Sequence, residues 1–252
     1  MTDPIAYLEG VSGQRIGYCY SPGRSPGVMF CGGFMSDMTG GKALALEHWC
    51  RVHDRAFVRF DYNGHGCSDG KFADGTISSW RDDALAVLDR ICQGDQIIVG
   101  SSMGGWIMLL LARARPERIR GLIGIATATD MTEQLLWARL SDHQRDIILR
   151  NGLIQLPSEY SDIPYTITRQ LIEDGRDHRI LNGTLTIDAP VRLLHGMQDP
   201  DVPWQHSLQL VPVLSSPDVR VTLIKDGDHR LSRPADLALL TAQLAGLLEQ
   251  SP

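Results

Sequence analysis

Cysteine is sparse and scattered: Cys19, Cys31, Cys50, Cys67 and Cys92 are five among 252 residues, an odd number with no C-x-x-C pair. That spacing argues for reduced thiols and against a disulfide framework or a zinc site, so no metal is expected. A long apolar run is also missing. The longest stretch, residues 106–112, falls far short of the ~20 residues needed to span a bilayer, so no transmembrane segment is expected. Lysine and arginine form no block, and 24 basic against 30 acidic residues give a formal net charge of −6. Nucleic acid would find no phosphate-tracking surface here. Residues 1–10 hold neither a basic segment followed by an apolar one nor an Arg/Ser bias, so no leader is read there and a cytoplasmic location is expected. No repeat, low-complexity tract or Gly/Ser linker divides the chain.

What is present is ordinary globular composition, 43% hydrophobic and 21% charged, which excludes disorder, collagen-like repeats and coiled coil. The length fits one large domain or a core with a modest insert. Short apolar segments at 28–31, 56–60, 96–99, 121–126, 191–194 and 219–224 alternate with helical patterns at 42–52, 78–91, 102–114, 204–214 and 234–248. Such alternation is the signature of βαβ units. Segments 5–11 and 15–20 are separated only by Ser12-Gly13-Gln14, too short for a crossover, and are predicted to pair antiparallel at the sheet edge. The expected fold is α/β: a mixed, mostly parallel sheet of about eight strands with helices on both faces. Between 130 and 188 no convincing strand interrupts helix-like pieces. Residues 130–188 are therefore predicted as a helical cap insert, and 1–129 with 189–252 as the core. The insert leaves the sheet near the strand ends where such folds bind substrate. Leu136 and Trp137 would belong to an apolar lining suited to an acyl chain, although the same apolar face would serve equally as the cap's own core.

The strongest local signal is Gly100-Ser101-Ser102-Met103-Gly104, a G-x-S-x-G between the apolar strand ending at Val99 and the apolar helix opening at Gly105 and Trp106. A strand turning sharply into a helix strains the central residue, and glycines two residues either side remove side chains that would collide. Ser102 is thus the candidate nucleophile, favoured by spacing over Ser101, at a helix N-terminus whose N–H groups stabilise developing negative charge. In this motif's usual chain order an acid and a histidine follow, each at the end of a later strand. After 191–194 comes His195-Gly196-Met197-Gln198-Asp199-Pro200-Asp201, and after 219–224 comes Lys225-Asp226-Gly227-Asp228-His229. Asp199 is the candidate acid with Asp201 as runner-up, and His229 is the candidate base. Asp226 and Asp228 read as solvated turn carboxylates, and His195 as a hydrogen-bonded structural residue. The oxyanion hole is expected from the Met103 amide and from the loop Gly32-Gly33-Phe34-Met35, with Phe34 the likelier second donor and Gly33 allowing close backbone approach to a ligand. Cys31 reads as a buried thiol.

These three loops in order resemble the α/β-hydrolase superfamily, as does Asp61-Tyr62-Asn63-Gly64-His65-Gly66-Cys67-Ser68, similar to its D-x-R-G-x-G-x-S turn except that Asn63 replaces arginine. More narrowly, Gly40-Gly41-Lys42-Ala43-Leu44-Ala45, the elbow through Trp106, Leu193 to Asp199 with Val202-Pro203-Trp204, and Asp228-His229-Arg230 look like the mitochondrial acyl-protein thioesterase and acyl-glucuronide esterase branch of that superfamily. The resemblance extends over most of the chain. It implies a cofactor-free serine hydrolase of small acyl esters, glucuronides, thioesters or acylated proteins, with Ser102, Asp199 and His229 as triad. Two departures are the missing presequence and Cys31 where many lipases and esterases carry histidine.

Other readings stay open. A C–C bond hydrolase or a cofactor-free haloperoxidase or perhydrolase would use the same triad, and a non-catalytic ligand receptor could reuse the pocket. Gly64-x-Gly66-x-x-x-Gly70 places its third glycine one residue late for a dinucleotide fingerprint. A carboxylate nucleophile, as dehalogenases and epoxide hydrolases require, is ruled against by Ser102.

Overall fold

The computed structural model describes residues 4–11, 13–157 and 164–250. Along the chain run β1 (Ala6–Glu9), β2 (Arg15–Ser21), β3 (Arg24–Cys31), α1 (Gly41–Val52), β4 (Arg55–Phe60) and α2 (Ile77–Arg90). Then come β5 (Gln96–Ser101), α3 (Met103–Ala114), β6 (Ile119–Ile125), α4 (Asp142–Asn151), β7 (Leu153–Leu156), β8 (Tyr165–Thr168) and α5 (Arg169–Arg176). The last elements are β9 (Val191–Gly196), α6 (Gln205–Leu210), β10 (Val219–Ile224) and α7 (Pro234–Gln250).

Eight strands form one sheet in the order β1-β2-β4-β3-β5-β6-β9-β10. β2 pairs antiparallel with both β1 and β4, and every pairing from β4 through β3, β5, β6 and β9 to β10 is parallel. The mixed sheet expected from the segment pattern is therefore present. The turn joining β1 to β2 is closed by Gly10 N–H to the Gln14 carbonyl at 2.8 Å, and Ser12 within it lies outside the described residues.

Side chains alternate across the pleat. Val28, Phe30, Ile97, Val99 and Ile123 pack under α1 and α7, whereas Met29, Ile98 and Leu122 pack under α2 and α3. The apolar run 106–112 is the buried middle of α3, enclosed by the sheet and α2, with the Trp106 indole N–H donating to the His178 carbonyl at 3.2 Å. Among the described residues no helix is long and apolar enough to cross a membrane. Local signals place the helix starts. Thr76 caps α2 in a reciprocal box with Ser79, and Ser141 does the same for α4 with Gln144, satisfying otherwise orphaned N–H groups.

Two expectations need correcting. Stretch 130–188 is not purely helical, because β7 and β8 pair antiparallel, with Ile154 opposite Ile167. These strands are only four residues each, too short for an alternating pattern to stand out in the sequence. Helix α6 stops at Leu210 rather than continuing to 214. Pro212 has no N–H for a helical bond, and the chain beyond it bonds Leu185 instead, through Leu185 N–H to the Val213 carbonyl at 2.8 Å.

Candidate active site

The position of the candidate nucleophile, Ser102, is set by backbone crowding. Ser102 sits between β5 and α3 at φ 55° and ψ −119°, a strained conformation for a side chain-bearing residue. A Cβ on Gly100 would lie 2.3 Å from the Gly104 carbonyl oxygen, and one on Gly104 would lie 2.1 Å from that of Cys31. Only glycine fits at either place. The strain is held by three backbone bonds: Ser102 N–H donates to Ile125 at 2.9 Å, and its carbonyl accepts from Gly105 at 2.9 Å and Ala128 at 3.1 Å. Ser101, by contrast, is the buried last residue of β5, opposite Ile125.

Beside the elbow runs the glycine loop that follows β3. Gly33 lies so close that an added Cβ would touch Ser102 Cβ at 3.4 Å. Among the described residues, the amides of Phe34 and Met103 have no acceptor within the chain. The loop is fixed from below. Met35, at φ 52°, donates its N–H to His65 Nε2 at 3.2 Å, while His65 Nδ1 faces the Asn63 carbonyl at 3.3 Å. His65 is thus a neutral ring with Nδ1 protonated, and burial pushes its pKa down to about 4. Asp61 accepts from Met38 N–H at 2.7 Å and Cys67 N–H at 2.9 Å, so the motif beginning at Asp61 acts as scaffold. Asn63, standing where the resemblance implies arginine, is instead held by both oxygens of buried Asp83, at 2.8 and 2.7 Å. The Phe34 ring packs edge-on against Phe72 and Trp80. Cys31 is fully buried and its thiol is pushed up to about 12 by that burial, so it is inert.

The loops that carry the candidate acid and base meet at the same rim. Ser102 N–H reaches Ile125, Ala126 N–H reaches Leu194, and Met197 N–H reaches Ile224, so the ends of β5, β6, β9 and β10 are stitched side by side. His229 Nδ1 lies 2.7 Å from Asp199 Oδ2. Asp199 Oδ1 accepts from the amides of Asp201 at 2.9 Å and Val202 at 2.8 Å. The Asp199 side chain is 0% exposed and that of His229 17%. Burial works to raise the Asp199 pKa, but hydrogen bonds from His195 and His229 outweigh it and hold the carboxyl below the usual carboxylate range. Asp201, the runner-up acid, supplies its amide to this arrangement. Asp226 pairs with Arg233, and Asp228 accepts from Leu231 N–H at 2.9 Å.

Among the described residues Ser102 Oγ and His229 Nε2 make no hydrogen bond to each other, and such a contact commonly tightens only when substrate is bound. Asp199, Asp201 and His229 present ligand atoms within 4.8 Å of one another. Asp199 in this cluster already accepts from two amides and lies in hydrogen-bond contact with His229.

Leu136 and Trp137 lie in the 130–188 segment, packed on its own core of Leu140, Ile148, Ile167 and Ile172 together with Phe34. The guanidinium groups of Arg145 and Arg176 stand 5.6 and 5.4 Å from the Trp137 ring centre. Three roles escaped the sequence reading. His65 pins the glycine loop; Lys42 donates to the Arg230 carbonyl beside the base; Asp130, fully buried at φ 55°, accepts from Ile180 and Leu181 at 2.8 and 3.1 Å. His65 and Lys42 stand inside motifs whose glycines drew the attention. Asp130 carries no motif.

Comparison with known proteins places this geometry. Residues 28–159 match the family described as serine aminopeptidase, S33. The mitochondrial palmitoyl-protein thioesterase ABHD10 of Mus musculus is 42% identical over 98% of this chain and 83% of its own length. The solved mouse α/β-hydrolase domain-containing protein 10 superposes with a TM-score of 0.91 at 40% identity, covering 99% of this chain and 100% of that one. A putative hydrolase from Agrobacterium vitis S4 superposes at 0.92 with 41% identity, covering 97% and 99%. The mouse thioesterase is mitochondrial, which corrects the cytoplasmic expectation. That expectation rested on the scattered cysteines, which fit any reducing compartment, and on the composition of residues 1–10.

Proposed function

The chain belongs to the α/β-hydrolase family, and from that premise we propose that Ser102, His229 and Asp199 form its catalytic triad, with the Phe34 and Met103 amides as oxyanion hole. It is a serine hydrolase acting on ester or thioester bonds. Ser102 Oγ attacks the acyl carbon as His229 Nε2 takes its proton, and Asp199 holds the imidazole in the tautomer that leaves Nε2 free to do so. The oxyanion forms against the two amides. Protonated His229 then gives its proton to the departing alcohol or thiol, and water activated by the same ring hydrolyses the acyl-enzyme. The observation supporting this reading is the Asp199–His229 bond at 2.7 Å on the rim that carries Ser102 at φ 55°.

Residues 130–188 serve as a cap over this rim in our reading. Its support is the contact between Phe34 and the segment's own side chains, with the Tyr165 ring 5.8 Å from that of Phe34. Gly33, Leu136 and Trp137 would then bound the acyl side of the site. An acylated protein, of the kind named for the mouse thioesterase, is the substrate class this favours. A rate panel of esters and thioesters from acetyl to palmitoyl tests it. Rising kcat/KM toward long-chain thioesters is expected, and a flat or acetyl-restricted profile removes the long-chain reading.

A further inference from the structure

Among the described residues, His195 is the buried histidine in contact with Asp199, and both of its ring nitrogens have identifiable partners. The ring is 0% exposed, as is Ser207 on α6. Its Nε2 lies 2.9 Å from the Val202 carbonyl oxygen, which only accepts, so the proton is on Nε2. The same Nε2 stands 3.3 Å from Asp199 Oδ2, the oxygen that receives His229. On the far side Nδ1 is 2.7 Å from Ser207 Oγ, and in a neutral ring protonated at Nε2 it accepts the hydroxyl proton. With both nitrogens engaged the ring cannot turn.

We propose that His195 is a positioning residue for the triad's acid, a neutral imidazole whose tautomer the Val202 carbonyl fixes and whose ring Ser207 holds in place, so that Asp199 Oδ2 is shared between two rings. The inference rests on the triad reading above. Its physical consequence is specific. A second N–H on Oδ2 aims the carboxylate at His229 but also drains charge from it, making it a weaker acceptor for the His229 proton. Removing that donor should leave the carboxylate more basic and His229 harder to deprotonate.

Other charged or titratable groups face this pair from several elements. They are Asp201 in the acid loop, His206 on α6 and, toward His206, Arg139 of the cap segment, whereas Lys42 on α1 faces Asp228 and Arg230 of the base loop and Asp236 on α7. Burial, aided by Arg139, holds His206 low, and Lys42 is tied to the Arg230 carbonyl. Only His195 shares the oxygen that His229 uses.

The test is kcat, KM and the pH profile of kcat/KM on a p-nitrophenyl acyl ester for wild type, His195→Phe, His195→Gln and Ser207→Ala. His195→Phe should lower kcat about tenfold or more with KM within about twofold, and move the acid limb upward by about half a pH unit. His195→Gln, which keeps an N–H donor, should recover most of both. Ser207→Ala should shift the limb in the same direction by less. An unmoved acid limb in His195→Phe, or a glutamine variant no better than phenylalanine, overturns the proposal. If His195→Phe does not fold, Ser207→Ala decides: a wild-type kcat and acid limb there overturns it. Failure of the triad itself is seen separately, as turnover by Ser102→Ala, and would take both readings down.

Discussion

His65 should make folding stability fall with acid in a way that one substitution isolates. Its pKa drops from the ordinary 6.5 to about 4 because the ring is buried, and it must stay neutral for Nε2 to accept the Met35 N–H. A depressed folded-state pKa means that the unfolded chain binds the proton first. The contribution is therefore complete above pH 6.5 and is lost as pH falls toward 4. Integrating between pH 7.5 and 4.5 with those two values gives about 2.5 kcal/mol, a full charge change on a side chain that is only 5% exposed. The assay is urea unfolding of wild type and His65→Gln across that range. Glutamine does not titrate there, so the stability gap between the two proteins should shrink by about 2.5 kcal/mol on acidification. A gap that stays constant to within ~0.5 kcal/mol would show that the ring is not held neutral, and the account of how the glycine loop is pinned would fail with it.

Gly104→Ala should be costly for both stability and rate, since its Cβ would sit 2.1 Å from the Cys31 carbonyl oxygen, against backbone that cannot rotate away. Overpacking of ~1–3 kcal/mol should lower Tm by roughly 5 °C, and a displaced oxyanion loop should cut kcat by ~10²; wild-type kcat would refute the geometry. Asp130→Ala strips the acceptors from Ile180 and Leu181 and leaves alanine at φ 55°, joining the two ends of the cap segment less firmly. A loss of about 2 kcal/mol or more and faster proteolysis within 140–176 are expected, and an unchanged urea midpoint would contradict the clasp.

The parallel core was legible because its strands are buried on both faces and read as short apolar runs such as Ile97-Ile98-Val99, each followed by a helix pattern. The elbow was legible for a steric reason: Gly100 and Gly104 are demanded by contacts of 2.3 and 2.1 Å, so the chemistry leaves a mark in composition. The residues that steady the site leave no such mark. His65, His195 and Ser207 act through single ring or hydroxyl contacts between elements 12 to 30 residues apart, which no local period encodes. The β7–β8 hairpin was missed because its alternation lasts only four residues a side, and the end of α6 because Pro212 was not weighed against the apolar pattern around it. Compartment was misjudged since nothing in thiol spacing separates two reducing spaces.

Reaction with a fluorophosphonate, followed by intact-mass and peptide analysis, tests the central claim most directly. One label per chain should appear on Ser102, vanish in Ser102→Ala and form slowly in His229→Ala. Labelling at another residue, or wild-type ester turnover by Ser102→Ala, would contradict it.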